Sequence, residues 1–411
     1  MQQYMIDHSQ HTSVEDFQRR DSLIETLKAR FSTYGYKQIR TSTFESYDMY
    51  AGLTGTVNKD EMIKVVDASG KVMVLRPDVT IPISRMTALN NINYPRVFYV
   101  LDVFRQTPAE DEQKERTQAG IEYFGENTAQ SNAEVLMLAI HTLKDLGFSN
   151  FKIEIGHAGF FKELVEHAAI EPEDLDVLLT LIQSKNIVEI KPFLENLSID
   201  TDLRAAIEAI PLLYGEPWRV IEQAKEIIQN ENMQRVLQNL IDVFNVLKDY
   251  QAEDYVVFNL GLINNMNYYS GIIFQGFVNN VGKPVLMGGR YDNLGMQENK
   301  QMPAIGFAFE IDYLLDALRQ QHLTAGHPTP PDMVIYYDKG KQKEALAAAY
   351  QLREEGYQVV TFLNDTNGEV NALYTVRYGE NQQLLLGNNE TKDFTDTEEL
   401  IALLQAKKED Q

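Results

Sequence analysis

The sequence predicts an α+β fold: a largely antiparallel sheet with flanking helices, a helical insertion that interrupts it, and a small C-terminal α/β domain. Three observations carry this. Short strand-like runs alternate irregularly with helical ones, not in the regular order of a doubly wound sheet. Between about residues 160 and 250 the pattern is helical throughout, and strand-like runs resume after it. Residues 320–331, QQHLTAGHPTPP, end in three prolines within four positions, which suits an interdomain linker. The expected organisation is a core over 1–320, a linker over 321–331 and a separate domain over 332–411.

Taken in order, the first helix is expected to start at Ser13, whose hydroxyl caps free amides while Asp16 supplies the reciprocal carboxylate. Val14, Phe17, Ile24, Leu27 and Phe31 recur at helical spacing, and Gly35 offers a left-handed stop. The runs KVMVLRP, RVFYVLDVF and FKIEIG then read as strands, with a helix over Asn132 to Leu146. After the helical insertion, YVVFNLGLI and NYYSGIIFQGF return to strand pattern. In the C-terminal part, DMVIYY, YQVVTFL, ALYTVRY and QQLLLG read as strands, and Lys341 to Glu355 and Thr397 to Ala406 as helices.

Composition narrows the function. With 37 Lys and Arg against 60 Asp and Glu, the formal net charge is −23, which opposes a polyanion and weighs against tRNA. Residues 331–411 alone hold 15 acidic and 8 basic side chains, a net of −7. The chain has no Cys, so disulfides, thiolate zinc sites and cysteine nucleophiles are excluded. No apolar stretch approaches a membrane span and the N-terminus lacks a signal pattern, so the expected location is the cytoplasm, with no membrane partner. There is no Walker phosphate loop, no H-E-x-x-H pair and no G-x-S-x-G elbow, so no metal and no cofactor is expected. Of the seven His residues, His157 in KIEIGHAGF is the one whose surroundings are not plainly solvated.

Polar residues in otherwise apolar runs mark candidate ligand contacts. In VLRPDVTIPISR, Asp78 and Thr80 stand two apart, so a strand would turn both to one side. In ERTQAGIEYFG, Gln118 and Glu122 stand four apart and share a face on either a helix or a strand. Tyr268, Tyr269 and Tyr291 can read a neutral ring nitrogen as donor or acceptor, or simply pack in a core. Gly271, Gly288 and Gly289 fit a ligand rim or a hairpin equally. The loop AEDEQKE carries four acidic groups against one Lys.

Residues 263–277, INNMNYYSGIIFQGF, and 286–295, LMGGRYDNLG, resemble the histidine-binding strands of histidyl-tRNA synthetase, a class II aminoacyl-tRNA synthetase. The resemblance covers about residues 10–320 through four motif regions in the same order. It implies that Asp78 and Thr80 hold the α-amino group of histidine, that Gln118 and Glu122 meet its carboxylate and imidazole, and that Tyr269 and Tyr291, with Tyr268, flank the ring. Arg105 stands at the place of an Arg that reaches the α-phosphate, and so implies a phosphate or carboxylate contact.

The departures fall on the ATP side. Asn264 replaces the Arg of V-R-G-L-D-Y-Y-T, Asn267 its Asp, and Thr107 a Glu. Arg116 stands where an aromatic residue stacks on adenine. GFAFEIDY, set against G-F-A-x-G-L-E-R, puts Tyr313 where an Arg grips triphosphate. L-R-P-D-x-T is similar to the synthetase-like regulatory subunit of ATP phosphoribosyltransferase. The resemblance therefore implies a non-catalytic subunit that a short-form catalytic subunit of that enzyme needs for activity, with histidine as inhibitory effector in the first step of histidine biosynthesis. It also implies a homodimer within a hetero-oligomer, formed through the early motif IRTSTFE, where Ser42 replaces a Pro, and a C-terminal domain like an anticodon-binding domain. An active histidyl-tRNA synthetase and a stand-alone histidine-sensing paralogue remain the alternatives.

Overall fold

A nine-stranded sheet organises residues 1–325. In the computed structural model the described residues are 13–51, 57–89, 95–106, 114–263, 268–294, 302–323, 331–364, 372–379, 382–386 and 390–409. The strands of this unit are β1 (Lys37–Gln38), β2 (Phe44–Ser46), β3 (Lys64–Val66), β4 (Val72–Leu75), β5 (Arg96–Phe104), β6 (Glu115–Phe124), β7 (Phe151–His157), β8 (Tyr214–Gly215), β9 (Val256–Asn259), β10 (Ile272–Val278), β11 (Leu286–Arg290) and β12 (Ala304–Glu310). They form the order β1-β5-β6-β12-β11-β10-β7-β9-β8, with β2, β4 and β3 as a separate small sheet. Neighbours in the large sheet are antiparallel except β1 with β5 and β7 with β9, as the mixed sequence pattern predicts.

The helices of this unit are α1 (Val14–Thr33), α2 (Asp48–Ala51), α3 (Thr80–Ala88), α4 (Ala129–Asp145), α5 (Ala158–His167), α6 (Pro172–Gln183), α7 (Ile187–Glu195), α8 (Thr201–Ala209), α9 (Pro217–Glu226), α10 (Glu231–Asp249) and α11 (Ile311–Gln320). The Ser13 hydroxyl does cap α1, accepting from the Asp16 N–H at 3.1 Å. The Asp16 carboxylate, however, takes the Ser13 hydroxyl (3.1 Å) and Arg319 (2.8 Å), so it ties α1 to α11 as well. Leu27 and Phe31 are buried as the spacing predicts, but Val14 and Phe17 are 71% and 62% exposed. The apolar stripe of α1 thus outruns the core beneath it. Gly35, at φ +81°, ends the helix. The region read as purely helical contains β8, two residues that add to the sheet edge beside β9.

Residues 326–411 form a second unit, with strands β13 (Met333–Tyr337), β14 (Val359–Leu363), β15 (Tyr374–Tyr378), β16 (Gln382–Leu386) and β17 (Glu390–Asp393) and helices α12 (Gln342–Glu354) and α13 (Thr397–Glu409). Its sheet order is β14-β13-β15-β16-β17, parallel on one side and antiparallel on the other. Strand β17, in polar sequence, went unread.

Alternation along the central strands divides the large sheet into two chemistries. Phe98 of β5, Ala119 and Ile121 of β6, and Ile305, Phe307 and Phe309 of β12 enter one core with Leu27 and Phe31 of α1, Leu136 and Ile140 of α4 and Leu240 and Leu247 of α10. The intervening residues face the opposite side, where a smaller cluster holds Val97, Tyr99, Phe124, Tyr291 and Ala304. Buried Arg290 fixes β11 to the start of α4. Its Nε and Nη2 donate to Asn132 Oδ1 at 3.0 and 2.6 Å, and Nη1 donates to Glu126 O at 2.9 Å and Asp292 Oδ1 at 3.0 Å. Removing this guanidinium strands a carboxylate and an amide in the interior. Arg290→Ala is expected to lower the unfolding free energy by about 3–5 kcal/mol, read by urea denaturation with amide exchange on β11; a loss under about 1 kcal/mol would show that the clamp does not hold β11.

Candidate ligand-binding site

On the polar side of β6, β11 and β12 lies a cavity of about 130 Å³, lined by Asp78, Thr80, Tyr99, Arg105, Gln118, Glu122, Tyr268, Tyr269, Tyr291 and Glu310, with Met287, Gly288, Gly306, Phe307 and Ala308. Pockets for drug-sized ligands run from about 300 Å³ upward, so this volume suits an amino acid and is tight for a nucleotide. All seven residues read from sequence as histidine contacts, and Arg105, meet here.

Asp78 and Thr80 reach the cavity by a different route from the strand expected for them. Strand β4 ends at Leu75, and α3 begins at Thr80. Asp78 Oδ1 accepts the Ile81 N–H at 2.8 Å, and Pro82 falls in the first helical turn, where a missing N–H costs nothing. A spacing of two fits a strand, but an Asp three residues before a free amide, followed by proline, favours a helix start. Buried Arg76 fixes the approach. Its guanidinium donates to Asp102 O (3.0 and 2.7 Å), Thr41 O (3.1 Å) and Ser42 O (3.0 Å). Arg105 Nε holds the next residue through Pro77 O at 2.8 Å. Ser42 turns its hydroxyl back onto Phe44 O at 2.8 Å.

Gln118 and Glu122 lie on β6, on one face, with Gly306 of β12 opposite Glu122. A Cβ at Gly306 would collide with the Glu122 carboxylate, so the glycine makes room for it. Thr80 Oγ1 donates to Glu122 Oε1 at 2.6 Å, and the Tyr291 hydroxyl donates to Oε2. Both donors favour the ionised carboxylate, yet burial outweighs them and pushes the Glu122 carboxyl up to about 8. Asp78 is also raised by burial, against the pull of its bond to Ile81 and of Arg105. Glu310 is raised by burial even though Gln118 Nε2 donates to it at 2.7 Å. Burial and then the nearby carboxylates keep the phenols of Tyr268, Tyr269 and Tyr291 neutral. Tyr268 stacks on Tyr291 (5.7 Å, 25°) and meets Tyr269 edge-on (4.6 Å, 85°).

Three carboxyl groups and a single guanidinium therefore face one small space. Among the described residues Asp78 has no ion-pair partner, and the terminal nitrogens of Arg105 have no hydrogen bond. Such a cavity can take a ligand with a cationic group for Asp78 and an anionic group for Arg105, and a ring with polar edges beside Glu122 and the tyrosines.

On the side that the resemblance assigns to ATP, Arg116 and Tyr313 come together, the guanidinium 5.9 Å from the ring centre, and Lys283 stands 5.4 Å from the same ring. The aromatic and cationic roles are exchanged between the two positions. Asn264, Asn267, Thr107, His8, His11 and His327 lie outside the described residues, as do most of the acidic loop and of the linker. His157 is not at the site: its Nδ1 accepts the Gly159 N–H at 3.0 Å, capping α5, and burial lowers it to about 4. Beside the apolar and glycine lining, two polar lining residues lie outside the sequence reading, Tyr99 and Glu310. Tyr99 was legible from alternation in RVFYVLDVF. Glu310 was legible from the G-F-A-x-G-L-E-R comparison, where it takes the place of the second glycine.

The family model described as histidyl-tRNA synthetase matches residues 9–314. The ATP phosphoribosyltransferase regulatory subunit of Oceanobacillus iheyensis is 46% identical over 392 residues, 94% of this chain and 95% of that one. The protein of the same name from Ruminiclostridium cellulolyticum is 34% identical over 88% and 86%. A crystal structure of an ATP phosphoribosyltransferase regulatory subunit/histidyl-tRNA synthetase from Bacillus halodurans superposes with a TM-score of 0.78 at 30% identity, over 87% of this chain and 92% of that one. Histidyl-tRNA synthetase from Nostoc shares the fold, with a TM-score of 0.78 at 17% identity over 98% of each chain. The chain belongs to the histidyl-tRNA synthetase family, and within it to the ATP phosphoribosyltransferase regulatory subunits.

Proposed function

We propose that this chain is a non-catalytic subunit that a short-form catalytic subunit of ATP phosphoribosyltransferase requires, and that it carries histidine feedback by binding histidine in the cavity of Asp78, Thr80, Gln118, Glu122, Tyr268, Tyr269 and Tyr291. One observation carries the ligand reading: among the described residues Asp78 has no ion-pair partner and the terminal nitrogens of Arg105 have no hydrogen bond, across a space of amino-acid size. In this assignment Asp78 and Thr80 hold the ammonium, Arg105 and Gln118 the carboxylate, and Glu122 with Tyr269 and Tyr291 the imidazole. The exchange of Arg116 and Tyr313 supports the absence of aminoacylation. Exposed Val14 and Phe17 of α1, with Phe44, Val65, Val66 and Val72 of the small sheet, support a homodimer formed through the early motif.

Feedback requires that histidine bind one conformation of the assembly more tightly than another. Adding the chain to its cognate catalytic subunit is expected to raise phosphoribosyltransferase activity, and titrated histidine to lower it again. No effect on the cognate subunit would remove the regulatory reading, and histidine-dependent ATP–pyrophosphate exchange would replace it with a synthetase.

Calorimetry tests the site. Glu122→Ala is expected to weaken histidine binding at least about tenfold, about 1.4 kcal/mol. Tyr269→Phe, which removes one neutral hydrogen bond, should cost about 0.5–1.5 kcal/mol. Unchanged affinity in both variants would sink the assignment.

Proton linkage gives an independent reading. With its carboxyl at about 8, Glu122 is mostly protonated at pH 7 in the empty cavity, and a ring N–H or ammonium beside it favours the ionised form. Binding at pH 7 should therefore release a proton, seen as a binding enthalpy that varies with the ionisation heat of the buffer, and this release should vanish in Glu122→Gln. The same shift fixes the sign for stability. The folded chain keeps a proton that the unfolded chain loses above its ordinary value of 4.5, so the contribution of Glu122 to stability falls as pH rises from about 4.5 to about 8.

A further inference from the structure

We propose that Glu310 decides which ligands the cavity admits: its carboxylate, held by Gln118 in the cavity that Arg105 also lines, turns away phosphorylated ligands such as nucleoside triphosphates. The inference goes beyond the histidine reading and does not need it.

Four observations meet at this residue. Glu310 is the last residue of β12 and the residue that precedes α11. The free amides at a helix start attract anions, and a short side chain such as Asp at that point bonds back to them. Glu310 makes no such cap. Instead its carboxylate turns into the cavity and meets Gln118, its directly opposed partner on β6, at 2.7 Å. The cations that act on it are Arg105 and Arg116, one lining the cavity and the other beside Tyr313. Finally, the G-F-A-x-G-L-E-R pattern has glycine where this chain has Glu310, so the position can be filled by backbone alone.

A phosphate drawn to Arg105 would meet the Glu310 carboxylate in the same cavity. The carboxylate also partly neutralises both arginines in advance. An amino acid meets this charge only through its single carboxylate, and its ammonium is drawn to Asp78, whereas a triphosphate brings several negative charges and no positive one. Glu310 therefore opposes a polyphosphate more strongly than it opposes an amino acid.

The test is titration calorimetry on the full chain with ATP, inorganic tripolyphosphate and adenosine as separate titrants, in wild type, Glu310→Gly and Glu310→Gln. Both variants are expected to bind ATP and tripolyphosphate at least about tenfold more tightly than wild type. Adenosine should change little, which assigns the gain to phosphate. Adding Arg105→Ala to Glu310→Gln should reverse it. If Glu310→Gly does not fold, Glu310→Gln, which keeps shape and can keep the Gln118 contact, carries the test alone. The proposal is overturned if folded variants with a near wild-type thermal midpoint bind tripolyphosphate no better than wild type, or if the gain is confined to adenosine. Histidine titrated into wild type in the same series reports on the histidine reading separately: its failure would leave the phosphate result standing, and the converse holds.

Discussion

The register of β6 between β5 and β12 is the constraint on which the rest of unit 1–325 depends. Ala119 and Ile121 pass into the core under α1 and α4, while Gln118, Gly120 and Glu122 pass to the opposite side. Because side chains alternate with a period of two, a slip of one residue would put Glu122 among Phe31, Phe98 and Phe307 and empty the cavity of its acid. The pairing partners are matched to this register. Gly306 lies opposite Glu122 and leaves space for its carboxylate, and Gly120 leaves space for the Tyr99 ring. One set of strand pairings thus sets both the dry core and the polar site.

Electrostatics follow from that placement. A carboxylate in a buried position has three ways to persist: it is protonated, it is hydrogen-bonded, or a cation joins it. Glu122 uses the first two when the cavity is empty, with Thr80 and Tyr291 as donors and its carboxyl raised to about 8. Asp78 relies on the backbone amides of Ile81 and Thr80 and on the charge of Arg105. A ligand that supplies the missing positive groups removes a cost already present in the folded chain. Its binding is then linked to stability and to protons together.

The fold was largely legible because the strand runs of the large sheet are long, apolar and alternating. What escaped has physical reasons. Strand β8 has two residues and exists only because β9 lies beside it, so no local pattern announces it. Val14 and Phe17 keep the helical spacing of Leu27 and Phe31, but spacing says only which face a residue is on, not how far the core extends under that face. Asp78 and Thr80 satisfied a strand's period while their neighbours, Pro77 and Pro82, signalled a helix start. At the site, Gln118, Glu122, Tyr269 and Tyr291 were legible through motif order. Glu310 is marked in the sequence only by standing where the G-F-A-x-G-L-E-R pattern has glycine, and the contact with Gln118 shows where its carboxylate goes.

Relative to the synthetase pattern the chain has changed unevenly. At the positions that the resemblance assigns to histidine, every departure in the described residues keeps the chemical type: Asp78 for Glu with Thr80, Gln118, Glu122, Tyr269 and Tyr291 retained. At the positions that it assigns to ATP, an aromatic and a cation have exchanged places at Arg116 and Tyr313, and a glycine has become an acid at Glu310. A scaffold that bound a small zwitterion without activating it needs only the first set. To transmit that binding it also needs a connection from the ligand to a surface. One such connection runs along the chain from Asp78 through Pro77 to Arg76, whose guanidinium holds the carbonyls of Thr41 and Ser42, the latter two residues from exposed Phe44. Any displacement of Asp78 is thereby opposed or passed on by a buried clamp, and the apolar strip on the small sheet lies at its far end.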